Sequence, residues 1–114
     1  MLTVDMEALK GILFVRLKGE FNKNTIDVFN NEVTSLVKDS LIRNVVFNLK
    51  DVSNIDKNGI LEIMNNYFWC LNNNGLSLLC FVPDKIKYKL DKTDILKHMY
   101  LAKDELDAVR IFNI

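Results

Sequence analysis

Among the 114 residues, proline, histidine and tryptophan occur once each, cysteine twice and glycine four times. Each scarcity closes off a class of protein. So little proline and glycine leaves no collagen-like repeat and no flexible linker, and the chain reads as one domain over residues 1–114. A lone His98, without a second histidine or a nearby cysteine, offers neither a zinc ligand set nor a nucleophile and base; it reads as a hydrogen-bonded or solvated turn residue. Cys70 and Cys80 fall in a predicted helix and a predicted strand, where thiols of an intracellular chain are small buried hydrophobes rather than a disulfide. No metal or other cofactor is expected.

An excess of one charge is missing too: 15 Lys+Arg face 15 Asp+Glu. Nucleic acid is therefore not an expected partner, because an electrostatic grip on it normally needs a one-signed patch. No apolar run approaches the ~20 residues of a membrane span, and Met1 to Lys10 lacks the apolar core of a signal peptide. The expectation is a cytoplasmic protein without membrane insertion. Neither GxxxxGK[ST] nor GxGxxG occurs, which removes the common nucleotide sites. The basic run Lys85, Lys87, Lys89 and Lys92 reads as a solvated helix face.

What is present is organised around Arg43 to Gly75. Val45, Val46, Phe47 and Leu49 form a short apolar run of β-branched and aromatic residues, as in a strand covered by helices. A tight polar loop follows, and Asp56 is placed to cap a helix whose first residues are Lys57, Asn58 and Gly59. In that helix Ile60, Met64, Tyr67 and Leu71 share a narrow sector that is expected to face the core, with Ile63 and Phe68 on its flanks. Trp69 points the other way, among Glu62, Asn65 and Asn73, either covered by a neighbouring loop or available to a partner or a second copy. Gly75 is expected to end the helix in a left-handed cap.

The flanking segments supply support. Leu2–Ala8 and Ile12–Leu17 read as a hairpin turning at Lys10 and Gly11, with Gly19 breaking the second strand. Ile26, Phe29, Val33, Leu36 and Val37 form the stripe of a helix that begins near Asn22 and ends near Ser40. Leu76–Val82 reads as a fourth strand stopped by Pro83, followed by a short helix capped by Asp84 that carries Ile86 and Leu90. A polar turn then leads to a last helix, Lys103–Phe112, with Leu106, Val109 and Phe112 inward. The order ββαβαβα predicts an α/β fold with a small mixed sheet of four to five strands, its strand–helix–strand unit parallel and right-handed.

These segments carry a resemblance. Leu17-Lys-Gly-Glu-Phe21 with Thr25 after it, Val45 to Ser53, Asp56-Lys-Asn-Gly59, and Leu79 to Val82 with the Lys-rich helix resemble, in order and spacing over nearly the whole chain, the STAS domains of bacterial anti-sigma factor antagonists. The resemblance implies a protein-binding regulator, not an enzyme, that docks on a serine-kinase-type anti-sigma factor. It also implies that phosphorylation of the serine directly after the motif's aspartate would switch the domain off. Here that position is Lys57, which has no hydroxyl, and Asn58 replaces the second serine. The docking surface implied is Phe21, Asn22, Ser53, Asn54, Asp56, Lys57, Asn58 and Gly59, on adjacent loops at one end of the sheet. Ser53 and Thr25 are the remaining hydroxyls there, read as turn or cap groups before phosphoacceptors. A STAS-like subunit or scaffold of a stress-signalling or transporter complex is the alternative. A receiver domain is excluded, because Leu9, Lys10 and Gly11 stand where it expects an acidic pair.

Overall fold

In a computed structural model, residues 1–112 can be described. Strands β1 (Leu2–Leu9) and β2 (Ile12–Phe21) form an antiparallel hairpin with Leu9 opposite Ile12. The two residues between them have φ of 53° at Lys10 and 80° at Gly11, the left-handed pair that a two-residue hairpin turn requires. Gly19 does not break β2. The strand continues to Phe21, and Gly19 sits at φ 105° where an added Cβ would overlap the Met1 carbonyl.

Helices α1 (Ile26–Phe29) and α2 (Ser35–Asp39) are joined through a π-helical turn, Asn30–Thr34, into one rod. Residues four apart drift by about 40° per step on a regular α-helix, and the wider π turn offsets that drift. Phe29, Val33 and Val37 thereby stay in line and are fully buried, while Leu36 of the expected stripe turns outward.

Strand β3 (Asn44–Ile55) is 12 residues long and includes the segment expected as a polar loop. Its parallel register with β2 slips twice, between the pairs Arg16↔Asn48 and Lys18↔Asp51 and between Gly19↔Val52 and Glu20↔Asn54. Each slip inserts one extra residue in β3, a bulge that increases local twist while Val52 and Ile55 stay buried. Helix α3 (Lys57–Asn72) follows, then β4 (Leu76–Cys80), α4 (Asp84–Leu90), α5 (Ile95–His98), β5 (Leu101–Ala102) and α6 (Glu105–Ile111). The strands lie in the order β1-β2-β3-β4-β5, parallel except for the first pair.

Side-chain alternation divides the core. Leu13, Val15, Leu17, Val45, Phe47, Leu49 and Leu79 meet α1 to α5 on one face. Ile12, Phe14, Val46, Leu78, Cys80 and Ala102 face the other way, against Ala108 of α6. The inward residues of α6 are therefore Ala108 and, in part, Val109 and Phe112; Leu106 is exposed. Both cysteines are buried and free, and burial pushes the thiol of Cys70 up to about 11 and that of Cys80 up to about 12, so neither is reactive near neutral pH.

Helix α3 is rotated from its expected facing. Its buried residues are Gly59, Ile60, Ile63, Asn66, Tyr67 and Cys70, while Leu71 and Phe68 are exposed and Met64 is half-buried. Trp69 is half-buried against the core rather than bare. The cap also differs: Asn74 is the left-handed residue (φ 64°), with Asn74 N–H donating to Leu71 O at 3.2 Å and Gly75 N–H to Cys70 O at 2.8 Å. Gly75 is needed because a Cβ there would overlap the Arg43 carbonyl. Strand β4 stops at Cys80, short of Val82, and Asp84 is the first helical residue after Pro83 instead of a side-chain cap.

One charged cluster fastens α6 to the sheet. Arg16 grips Glu105 with two hydrogen bonds of 2.8 Å, Asn48 Nδ2 donates to the same carboxylate at 2.8 Å, and Glu7 approaches Arg16 at 2.9 Å. The Arg16 hydrogen bond, against the cost of burial and with help from Asn48, holds the Glu105 carboxyl below the usual range.

Gly75→Ala should cost about 3 kcal/mol or more, whereas Asn74→Gly should be neutral or stabilising by up to about 1 kcal/mol, measured by urea unfolding; equal effects would refute the cap assignment. A double-mutant cycle on Arg16 and Glu105 should give a coupling of about 1–2 kcal/mol at pH 7. Because Glu105 is more acidic folded than unfolded, that coupling is complete above the unfolded value near about 4.3 and fades as pH falls through the lower folded one. A coupling that does not weaken at all as the pH is lowered below that unfolded value would contradict it.

Candidate functional site

The carboxyl ends of β2 and β3 meet the start of α3, and the local sequence explains how. Asp56 keeps an extended backbone at the N-cap, and its Oδ1 accepts the Gly59 N–H at 3.0 Å. Its Oδ2 accepts the Lys23 N–H at 3.1 Å and Asn58 Nδ2 at 3.4 Å, and its own N–H donates to Phe21 O at 3.1 Å. Burial alone would raise the pKa of this carboxyl, but the hydrogen bonds from Gly59, Lys23 and Asn58 outweigh it and lower the value. Asn22 shapes the facing turn, with Oδ1 accepting the Asn24 N–H at 2.9 Å.

Of the expected docking residues, the exposed or half-exposed ones are Asn22, Ser53, Asn54, Asp56, Lys57 and Asn58. Phe21 is fully buried and stacks on Phe29 with ring centroids 4.7 Å apart, so it supports the rim from beneath and cannot be a contact. Gly59 is buried as well. A Cβ on it would stand 2.7 Å from Phe21 O, so the close approach it permits is to the chain's own β2. Ser53 and Asn54 belong to β3, not to a loop. Ser53 is the extra residue of the second bulge, and Asn54 Oδ1 accepts both the Ile55 N–H at 3.0 Å and Lys89 Nζ. Thr25 is buried and its hydroxyl donates to Glu20 O at 2.9 Å, which makes it a turn group. Trp69 lies 12 residues beyond Lys57, about 18 Å along α3, and the fold does not bring it to the rim.

Lys57 is exposed and, among the described residues, forms no ion pair. Beside it lies a shallow depression of about 310 Å³ lined by Ile55, Asp56, Lys57, Ile60, Lys89, Lys92 and Thr93. Three lysines thus share one wall with a single carboxylate that is already occupied by backbone donors. Lys89 and Lys92 were not readable as site residues, because the contact that brings α4 to the end of β3 spans 35 positions.

A match to the STAS domain runs over residues 3–108. The chain belongs to the STAS domain family. It is 26% identical over 108 residues to an anti-sigma F factor antagonist of Paenibacillus polymyxa, spanning 95% of this chain and 92% of that protein. Its fold is similar to that of an anti-sigma factor antagonist from Mycobacterium paratuberculosis, with a TM-score of 0.88 and 18% identity over 100% of this chain and 96% of that one. It is also similar to the anti-sigma factor antagonist SpoIIAA in its unphosphorylated form, with a TM-score of 0.76 and 13% identity over 98% of this chain and 100% of that one. SpoIIAA has been solved phosphorylated as well.

This STAS domain also exposes an aromatic side chain at the carboxyl end of its parallel strands. Phe81, directly after β4, is held at φ 51°, a conformation that a bulky residue rarely adopts, and Lys50 Nζ stands 5.3 Å from its ring centroid. Its position inside an apolar run made it look like strand. The cap is directly testable: Asp56→Ala should cost about 1–2 kcal/mol, and Asp56→Asn should remove part of the acid sensitivity of folding. The sign follows from the lowered pKa, since the charged carboxylate stabilises above its unfolded value and that stabilisation is lost as pH falls through the folded one. Identical unfolding-versus-pH curves for wild type and Asp56→Asn would show that the carboxylate does not do this.

Proposed function

We propose that this STAS domain is a non-enzymatic regulator that binds a serine-kinase-type anti-sigma factor through the rim of Asn22, Asn54, Asp56, Lys57 and Asn58. The observation that carries the reading is the capped start of α3: Asp56 fixes an accessible turn with a lysine, not a serine, as the next residue. The match along the chain to an anti-sigma F factor antagonist supports the partner class. In this reading the rim docks without being phosphorylated at residue 57, because an ammonium group has no oxygen to receive a phosphoryl group. Lys57, Lys89 and Lys92 favour an acidic contact surface on the partner, so binding weakens with salt.

The test pairs the purified protein with serine-kinase-type anti-sigma factors of its own genome in the presence of ATP. Wild type should bind one of them and take no phosphate at residue 57. Lys57→Ser should become phosphorylated there and be released, and Lys57→Glu should bind at least about tenfold more weakly without phosphate. Failure of wild type to bind any such kinase would overturn the reading, and isolation of a complex with an unrelated scaffold that survives purification would replace it.

A further inference from the structure

Helix α3 has a second apolar side that its own fold leaves open. Leu61 is 50% exposed, Phe68 40% and Leu71 47%, with half-buried Met64 between them. The positions 61, 64, 68 and 71 are spaced three, four and three apart, the repeat with which two α-helices mesh knobs into holes. Exposed apolar residues in a continuous line mark a surface that something covers.

We propose that the occupant is a second copy of this chain, with α3 packed antiparallel on α3 about a two-fold axis near residue 66. The stripe is complementary to itself in that arrangement. Leu61 meets Leu71 of the other copy, and Met64 meets its Phe68, so every apolar position faces an apolar one. Lys57 continues the same line four residues before Leu61 and falls opposite position 75 of the other copy. That is the carboxyl end of its α3, where the helix dipole is negative. The outer flanks of the stripe are Asn65 and Asn72, which carry no charge, and Glu62 is turned toward Thr34, whose hydroxyl donates to it at 3.2 Å. Along α3 itself no like charges are therefore brought together, and a formal net charge of +0 adds no long-range repulsion. A seam along one 16-residue helix is smaller than the ~800 Å² per partner of a standard interface, so the dimer is weak and concentration-dependent. This surface shares Lys57 with the docking rim, and the two readings are told apart because self-association is measured on the purified chain without any partner.

Sedimentation velocity from about 5 to about 500 µM should show the mass rising from 13.2 kDa toward twice that value. Leu71→Asp, an exposed position where folding is not at stake, should weaken the dimer at least about tenfold, Lys57→Glu about threefold, and Leu106→Asp on α6 not at all. Mixed under mild oxidation, Leu61→Cys and Leu71→Cys should cross-link to each other and not to themselves. A monomer throughout the range, a dimer indifferent to Leu71→Asp, or a Leu61→Cys homodisulfide would each overturn the proposal.

Discussion

Asp56 joins segments that chain order keeps apart. Through its own N–H it holds the last carbonyl of β2, through Oδ1 it closes the first turn of α3, and through Oδ2 it holds the backbone of Lys23. Three donors on one side chain, two of them backbone, make this more than a helix cap: it sets the angle at which α3 leaves the sheet. Gly59 is the steric counterpart, since any side chain there would push α3 off the Phe21 carbonyl. The Phe21, Phe29 and Phe47 rings, with centroids 4.7 Å and 6.0 Å apart, fill the space beneath. The underside of the rim is thus core.

The bulges of β3 have a related effect. They lengthen β3 by two residues relative to β2 without turning Val52 or Ile55 out of the core. The extra length carries the Asp56 turn past the end of β4, which pairs with β3 only as far as Asn48 and Cys80. The turn therefore stands proud of the sheet, flanked by α4 rather than by another strand, and that is how Lys89 and Lys92 come to share its wall. Among the described residues the opposite face of the sheet has α6 as its one helix, and the two-pronged grip of Arg16 on Glu105 fixes it where its apolar contacts are Ala108, Val109 and Phe112.

Features determined by near neighbours were legible in the sequence. The hairpin turn at Lys10 and Gly11, the buried run Val45–Leu49 and the capping role of Asp56 each depend on residues a few positions away, and the structure has all three. Long-range contacts hid the rest. Nothing near Ser53 signals a bulge, because the bulge exists only relative to β2. Gly75 resembled a left-handed cap, yet its glycine is required by the Arg43 backbone across the β3–β4 pair, and Asn74 takes the positive φ. The facing of α3 is hidden for a different reason: the helix is apolar over two adjacent sides, so periodicity alone cannot choose between them. The choice is made by Cys70 and Asn66, the latter buried and donating to Thr34 Oγ1 and Glu62 O, both at 3.0 Å, an interaction that apolar patterning scores against burial.

On the proposed reading, the charge at residue 57 matters more than the missing hydroxyl. A phosphoserine would place about −2 at the first turn of α3, where exposed N–H groups favour an anion. Lysine places +1 in the same position against that preference, and no carboxylate among the described residues compensates it. A cation tolerated at the unfavourable end of a helix, next to Lys89 and Lys92, is best stabilised by a carboxylate from outside the chain. The same site thus cannot be toggled by charge as a phosphorylated one is; its occupancy depends on how much partner, or how much of the chain itself, is available to cover it. On that reading, control passes from a charge placed on the domain to the abundance of what covers it.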